Sequence, residues 1–264
     1  MMRRAVLPVL VLLWCAPALA QPTDGSLTTY VPEGEIEQRD GEAGTGLTGS
    51  LVVAGNINLA SNSNVVGQVD GYSLLLGAAL KGTLEYISGP HELINTLSIT
   101  QAWARTPVLD EFVKSNDVLA FEALYNFFAL DWFGPFARLN FETSMLPSED
   151  IRAEATDFNV LYNDDTTEFF AQSDRIELSG AFQPFSLEQS VGAFVEPYQS
   201  KPFSVSVRVG AGGRETIADG VLVNADDSET EGIIELKELS NVYQAGAEVF
   251  VGFGGKVLED RLSY

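Results

Sequence analysis

The sequence is poor in the residues on which catalysis and metal binding most often depend. It holds one cysteine, Cys15, and one histidine, His91, among 264 residues. Hydrolytic enzymes usually activate a nucleophile with histidine, and zinc or copper sites need several cysteine or histidine ligands. We therefore expect no enzyme, no cofactor and no zinc or copper site, with a lipid-modifying enzyme as a remote alternative. His91 follows Gly89 and Pro90 and is interpreted as a solvated turn residue.

Positive charge is scarce as well. The chain has 15 Lys and Arg residues against 37 Asp and Glu residues, which gives a formal net charge of −22. Such a chain repels phosphate backbones, so nucleic acid is excluded as a partner. After the N-terminal region, no stretch is long and apolar enough to predict a membrane-spanning helix.

The N-terminus has the pattern of a secretory signal peptide. Two arginines precede an apolar stretch at 5–15, and residues 18–20 (Ala-Leu-Ala) supply small residues for cleavage. We predict a cleaved signal peptide over 1–20 and export from the cytoplasm. Residues 21–46 are rich in Gly, Glu, Asp, Pro and Thr without an apolar period, which predicts a flexible N-terminal segment.

Residues 47–264 alternate between apolar and polar positions with a period of two. The clearest case is 72–86, where even-numbered positions are apolar apart from Gly82, while odd-numbered positions are mostly polar or small and Leu75 is the exception. A strand of this length, tilted by about 40°, crosses the apolar part of a bilayer. Nine such strands are predicted, near 47–60, 72–86, 93–105, 119–129, 135–145, 175–184, 187–198, 203–214 and 243–253.

This pattern predicts an all-β fold, a transmembrane antiparallel up-and-down β-barrel of about 10–12 strands, because single-chain bacterial barrels have even strand numbers. Long polar connections at 61–71, 106–117 and 146–174 alternate with short turns, and a tight reversal is predicted near Phe185. The alternation then breaks, because the connection after residue 198 is short and 215–233 is long. The acidic, weakly alternating approach to Tyr264 favours a sequence that stops short of its closing strand or strands.

Charged residues fall on the face opposite the apolar one, and in a barrel this face points into the lumen. We expect opposite charges there to pair and fill the interior, with a solute path along the same residues as the rival interpretation. The predicted lumen-lining charges are Lys81, Glu85, Glu122, Arg138, Glu142, Arg175, Glu177, Glu188, Arg208 and Arg214. Residues 208–214 are rich in glycine at the end of a strand, where glycine favours a bend or bulge over a phosphate-binding loop.

Two acidic runs are weak candidates for calcium. Asp164 and Asp165 follow Asn163, and Asp226 and Asp227 follow Asn224, so each run brings several oxygen atoms together. Hard cations prefer such ligands, although neither run has the spaced loop of an EF-hand. Solvated loop tips are the favoured interpretation, and divalent cations bridging these loops to lipid headgroups are the alternative.

Three short segments carry a resemblance to a known family. Residues 190–198 (SVGAFVEPY), 206–216 (SVRVGAGGRET) and 132–138 (WFGPFAR) resemble segments of an uncharacterised family of bacterial outer-membrane β-barrels, a domain of unknown function. The resemblance extends over about 47–264. It implies an outer-membrane location and supplies no substrate and no catalytic residues.

The function expected from these observations is that of an integral barrel of the Gram-negative cell outer membrane. Its pore is narrow or plugged, it serves passage or envelope organisation, and its partners are outer-membrane lipids including lipopolysaccharide. Two alternatives stay open. One is a surface receptor or adhesin that binds through acidic extracellular loops, and the other is a soluble exported β-sandwich binding protein.

Overall fold

The computed structural model describes residues 45–67, 69–109, 111–200, 203–225, 232–254, 256–257 and 262–263. The predicted signal peptide at 1–20 and nearly all of the segment at 21–46 lie outside these described residues. Within the described ranges the regular structure is entirely β-strand. They contain no helix that could span a membrane.

The strands vary from two to eighteen residues in length. In chain order they are β1 (Gly46–Asn62), β2 (Gly71–Ser88), β3 (His91–Arg105), β4 (Val113–Phe127), β5 (Phe133–Thr143), β6 (Ser148–Leu161), β7 (Thr167–Ser179), β8 (Phe185–Ser200), β9 (Phe203–Ile217), β10 (Leu222–Asn224), β11 (Ile233–Glu238), β12 (Val242–Gly254), β13 (Lys256–Val257) and β14 (Leu262–Ser263).

Eight strands form one antiparallel sheet in the order β1-β2-β3-β4-β5-β8-β9-β12, here called the main sheet. Each strand pairs with the next one that the chain adds to this sheet, so the all-β, antiparallel, up-and-down prediction is confirmed. Among the described residues the main sheet has eight strands, fewer than the expected ten to twelve. β1 and β12 stand at the two ends of the order and do not pair with each other, so the sheet is not closed within the described residues.

The predicted strand at 175–184 does not belong to the main sheet, whereas the other eight predicted strands do. The observed β7 (Thr167–Ser179) lies in a separate sheet, where Ile176 is buried and Leu178 packs beside it. The predicted reversal near Phe185 is also wrong, because Phe185 begins β8. The apolar alternation of this segment was real, but it serves a second core.

The loop lengths follow a simple rule once β7 is removed from the main sheet. The connections β1–β2, β3–β4, β5–β8 and β9–β12 are long and lie at one end, here called the long-loop end. The connections β2–β3, β4–β5 and β8–β9 are short and lie at the opposite, short-turn end. Alternation of long and short connections is typical of outer-membrane barrels.

The two longest connections build a structure of their own at the long-loop end. They contribute β6 with β7 and β10 with β11, which pair in the order β10-β11-β6-β7, here called the loop sheet. β11 runs parallel to β6, so the two connections are joined by backbone hydrogen bonds. The loop sheet encloses a small core of Phe158, Val160, Ile176, Leu222 and Leu236.

Asp117 fixes the point where the chain leaves the main sheet for the loop sheet. Its carboxylate accepts hydrogen bonds from the backbone N–H groups of Met145 and Leu146, at 3.2 and 2.7 Å, and from the Lys114 ammonium at 3.2 Å. Gln101 adds a fourth donor at 3.2 Å. Because only 7% of Asp117 is exposed, these bonds replace nearly all of its contact with water.

Candidate functional site

The two faces of the main sheet differ in chemistry. One face, here called the apolar face, carries large hydrophobic side chains that are open to the surroundings rather than packed. Its exposed members include Leu47, Leu51, Val53, Ile57 and Leu59 on β1, Tyr72, Leu84 and Tyr86 on β2, Leu97 on β3, Tyr125 on β4, Leu139 on β5, Val191 on β8, Val209 on β9, and Tyr243, Val249, Val251 and Phe253 on β12. The opposite face, here called the polar face, holds the candidate site.

Arg138 is the centre of the charge network on the polar face. Its Nη2 donates to Glu248 Oε2 at 2.6 Å, and its Nη1 lies 4.0 Å from Glu122 Oε2. Ser190 Oγ donates to the other oxygen of Glu248 at 3.0 Å. Arg138 and Glu248 are about one-third exposed, so the pair is partly desolvated. One guanidinium therefore lies between two carboxylates from different strands, which compensates charge on the polar face.

A cavity of about 520 Å³ lies beside this network. Its polar lining comes from Arg138, Glu188, Ser190, Arg214, Gln244 and Glu248. Glycines of β9 and β12 form its floor, where the absence of side chains leaves room above the sheet. The cavity combines cationic, anionic and amide groups, which suits a small polar or zwitterionic molecule, or ordered water, better than an apolar one.

The glycine-rich run at 208–214 has a different role from the bend or bulge that its composition suggested. The ladders of β9 with β8 and β12 stay in register through this run. A Cβ on Gly210 would lie 3.0 Å from the Phe136 ring, and one on Gly192 would lie 2.8 Å from it. These glycines therefore make room for an aromatic ring that lies across β8 and β9.

Apolar side chains also occupy the polar face and fill part of it. Leu75, Ala102, Leu124, Phe136 and Phe194 are all at most 6% exposed. Leu124, Phe136 and Phe194 form one cluster, against which Ile94 and Phe128 pack. The period-two alternation is interrupted by Leu75 on β2, and by Leu124 and Phe128 in and just after β4. These interruptions mark positions where apolar side chains pack on the polar face.

A second polar cluster lies near the short-turn end. Asn126 is 2% exposed, and its Nδ2 donates to Glu92 Oε2 at 2.6 Å. Glu85 lies on the adjacent strand β2, where its ladder partner is Ile94, two residues from Glu92 on β3. The predicted set of lumen-lining charges includes Glu85 but not Glu92.

The structure places eight of the ten predicted lumen-lining charges on the polar face of the main sheet. These are Lys81, Glu85, Glu122, Arg138, Glu142, Glu188, Arg208 and Arg214. Arg138 and Glu122 lie together, and so do Glu188 and Arg214 as direct ladder partners. Arg208 lies over the ring of Phe250 at 5.6 Å, a cation–π contact. Glu248, the strongest partner of Arg138, was missed because β12 is otherwise weakly charged.

Arg175 and Glu177 are corrections to the predicted set. Both lie on β7 in the loop sheet, away from the polar face of the main sheet. Arg175 pairs with Glu111 at 2.8 Å and with Glu149 at 3.3 Å. These exposed pairs connect β7 to the β3–β4 connection and to β6. Alternating charges alone do not say to which sheet a strand belongs, and this is the reason for the error.

The acidic runs give no support for a calcium site. Asp164 Oδ1 accepts hydrogen bonds from the hydroxyl and the backbone N–H of Thr166, at 2.5 and 3.0 Å. The Thr166 hydroxyl is the main cause of the lowered pKa of Asp164. Asp165 has a positive φ of 64°, so the pair shapes the turn between β6 and β7. The described residues contain no group of three or more acidic, His or Cys ligands, and Asp226 and Asp227 lie outside them.

His91 is the first residue of β3 rather than a loop residue. Its Nδ1 and the Tyr125 hydroxyl are 2.6 Å apart, and its ring packs on Tyr125 and Phe127. His91 is exposed, and the Tyr125 hydroxyl is its hydrogen-bond partner. The arrangement belongs to an aromatic cluster at the short-turn end.

Comparison of the chain with protein-family models, with curated proteins and with solved structures finds no match. The resemblance to an outer-membrane barrel family therefore stays a prediction.

Proposed function

We propose that this protein is an integral β-barrel of the Gram-negative outer membrane, with a narrow interior filled by paired charges and aromatic rings. It serves restricted passage of small polar solutes or organisation of the envelope. The observation that carries this proposal is the pairing of an exposed apolar face with a charged, partly packed opposite face along the same eight strands. The wall of a membrane barrel needs an apolar surface towards the lipid and a polar surface towards the lumen.

The extent of the exposed apolar face supports a lipid environment. On β1, Val53 and Ile57 are 71% and 78% exposed, and on β12 Val249 is 69% exposed. A water-soluble protein rarely exposes a contiguous apolar patch of this extent, because it promotes association. A β-sandwich would cover this face with a second sheet, and no second layer covers it among the described residues.

Aromatic residues at both ends of the apolar face are a second line of support. Tyr86, Tyr125 and Trp132 are exposed near the short-turn end, whereas Tyr72 and Tyr243 are exposed near the long-loop end. Outer-membrane barrels place such aromatic girdles where hydrocarbon meets water. By the same rule, the long-loop end with its loop sheet faces the cell exterior.

The strand number and the packing favour a narrow interior. Eight strands leave an interior just wide enough for side chains, whereas open porin channels need about 16–18 strands. Phe136, Phe194 and Leu124 pack on the polar face together with the Arg138–Glu248 pair. A closed form of this sheet would therefore pass little beyond water and small solutes.

Membrane fractionation tests the proposal. The full chain, expressed with its N-terminal segment in a Gram-negative host, is expected in the outer-membrane fraction after a urea wash. It should migrate differently on a gel with and without boiling, because folded barrels resist detergent. Recovery in the soluble periplasmic fraction, with no such shift, would favour the soluble binding protein instead.

The loop sheet supports a second candidate, a surface receptor or adhesin. Its buried core and its parallel β11–β6 pairing make it an ordered unit rather than a set of separate loops. A connection that only joins strands does not need such a core. A chain in which residues 148–179 are replaced by a short Gly-Ser link tests this candidate. Loss of binding to cells or envelope components, with membrane insertion retained, would favour the receptor over the narrow pore.

A further inference from the structure

Among the described residues, the end strands of the main sheet, β1 and β12, each have a single sheet neighbour. On its other side, neither strand has a second strand as ladder partner within these ranges. In a bilayer such edges have no water to bind, so a spanning sheet must close or find another strand. An integral barrel built on this sheet therefore needs a partner strand for β1 and one for β12, each in a defined register.

The ladders of the main sheet show how far β1 and β12 are offset from each other along the strand direction. Seven successive backbone pairings lead from Val52 of β1 to Val242 of β12, through Lys81, Ser98, Ala120, Glu142, Ser186 and Thr216. A second path leads from Gly46 to Glu248 in the same way. The rest of β1, residues 53–62, extends past β12 at the long-loop end. The rest of β12, residues 249–254, extends past β1 at the short-turn end.

A sheet with offset edges closes only when one edge slides along the other. Paired residues must point to the same face, so the slide is an even number of residues. Barrel strands tilt by about 35–45°. For eight strands about 4.7 Å apart, with a rise of about 3.3 Å per residue, this tilt corresponds to a slide of about eight to ten residues.

Slides of eight and of ten residues both fit the observed strands. A slide of eight places β12 alongside residues 48–60, and a slide of ten places it alongside residues 50–62. In both cases the whole of β12 lies within β1, Gly46–Asn62. The same slide in the opposite direction leaves no overlap between the two strands. The observed offset thus agrees with one direction of closure only.

We infer that β1 and β12 are each other's partners, joined in an antiparallel seam with a slide of eight or ten residues. This inference rests on the proposed outer-membrane function and specifies the closure that it requires. Val53 then lies beside Val249 for a slide of eight, or beside Val251 for a slide of ten. All three side chains belong to the exposed apolar face, so the seam continues that face around the barrel.

Disulfide trapping tests the seam directly. The only cysteine of the sequence is Cys15, within the predicted signal peptide, so introduced cysteines are free of competition from the rest of the chain. Two double variants report the two registers: Val53→Cys with Val249→Cys, and Val53→Cys with Val251→Cys. Directly opposite strand residues have Cβ atoms about 4.5–5.5 Å apart, close enough for a disulfide after small adjustments.

Two further variants serve as controls. Ala137→Cys with Val191→Cys joins an observed ladder pair of β5 and β8 and sets the yield of a correct register. Val53→Cys with Ala245→Cys lies on the same face at a slide outside the expected range. A protease site inserted after Asp164 separates the two strands, so a link within one chain holds the fragments together on a denaturing gel until reduction.

One of the two seam variants is expected to link within the chain at a yield comparable to the ladder control, and the Ala245 variant is expected to stay unlinked. Absence of intramolecular links from both seam variants in the outer-membrane fraction would overturn the seam. Links between chains would show that the edges pair between two copies instead. Recovery of the unmodified protein in the soluble fraction would count against the proposed function, and is read independently of the links.

Discussion

Arg138 on β5 and Glu248 on β12 form an ion pair with a 2.6 Å separation, although β8 and β9 lie between their strands. In a flat sheet, three strand spacings would put the two backbones about 14 Å apart. The two long side chains therefore reach towards each other over β8 and β9 on the polar face. The contact brings together charges from strands that are not neighbours in the sheet.

The ion pair should contribute measurably to stability. We expect Arg138→Met and Glu248→Gln each to lower the free energy of unfolding, with a coupling of about 1 kcal/mol in the double-mutant cycle. The coupling is modest because both side chains remain about one-third exposed. Urea unfolding of the refolded protein, followed by tryptophan fluorescence, measures it. Strictly additive effects would show that the pair is not formed in the folded protein.

The glycines under Phe136 should resist substitution. We expect Gly192→Ala to destabilise the protein by about 1–3 kcal/mol, because its Cβ would lie 2.8 Å from the Phe136 ring and closer still to the β9 backbone. Gly246→Ala is the matched control, since a Cβ there meets nothing within 4 Å. Comparable unfolding midpoints for the two variants would contradict the described packing.

The buried carboxylate at the entrance to the loop sheet should be intolerant of truncation. Asp117→Ala leaves the N–H groups of Met145 and Leu146 without their acceptor, and we expect a loss of about 1–3 kcal/mol. Asp150→Ala is a control, because Asp150 pairs with the exposed Arg152 two residues along the same strand. Limited proteolysis should cut the β5–β6 connection faster in the Asp117 variant and at an unchanged rate in the control.

The two longest connections, β5–β8 and β9–β12, should lie on the same side of the membrane. We expect Ala153→Cys and Ala225→Cys to react together with a membrane-impermeant maleimide added to intact cells, since both belong to connections at the long-loop end. Asp131→Cys, in the turn between β4 and β5, should react only after the cells are opened. If Ala225→Cys, like Asp131→Cys, reacted only in opened cells, the loop sheet could not form.

Much of the main sheet could be predicted from the sequence because a period of two is a local property. Eight of nine predicted strands lie in it, and residues such as Arg138 and Glu122 fell on the correct face for the same reason. Alternation does not record which strand is the neighbour. It could therefore not separate β7 from the main sheet, and it missed the contact of Arg138 with Glu248, 110 residues away.

The packing of apolar side chains on the polar face was visible in the sequence only as an irregularity. Leu75 and Leu124 broke the alternation, and the structure shows both buried on the polar face. The glycines of β9 were similarly ambiguous, because the ring that covers them, Phe136, comes from another strand. Such relationships depend on which strands are neighbours, and the order of the strands is a property of the whole sheet rather than of any one segment.

The contrast between the two faces can be tested with one pair of neighbouring residues. Leu97 is exposed on the apolar face in the middle of β3, and Ser98 points to the polar face. An arginine facing lipid near the bilayer centre costs about 2–4 kcal/mol, whereas one facing the lumen costs less. We therefore expect Leu97→Arg to impair folding into liposomes much more than Ser98→Arg. Equal folding yields would contradict the assigned orientation of the faces.

The most direct test of a lipid-facing apolar surface is a spin-label scan along β3, from residue 93 to residue 103, in protein reconstituted in liposomes. Collision rates with oxygen, which concentrates in the bilayer, are expected to rise and fall with a period of two residues. They should be highest at Leu93, Leu97 and Ile99, while a water-soluble nickel reagent should reach these positions least. High nickel accessibility at the same three positions would contradict the account, because the apolar face would then lie in water.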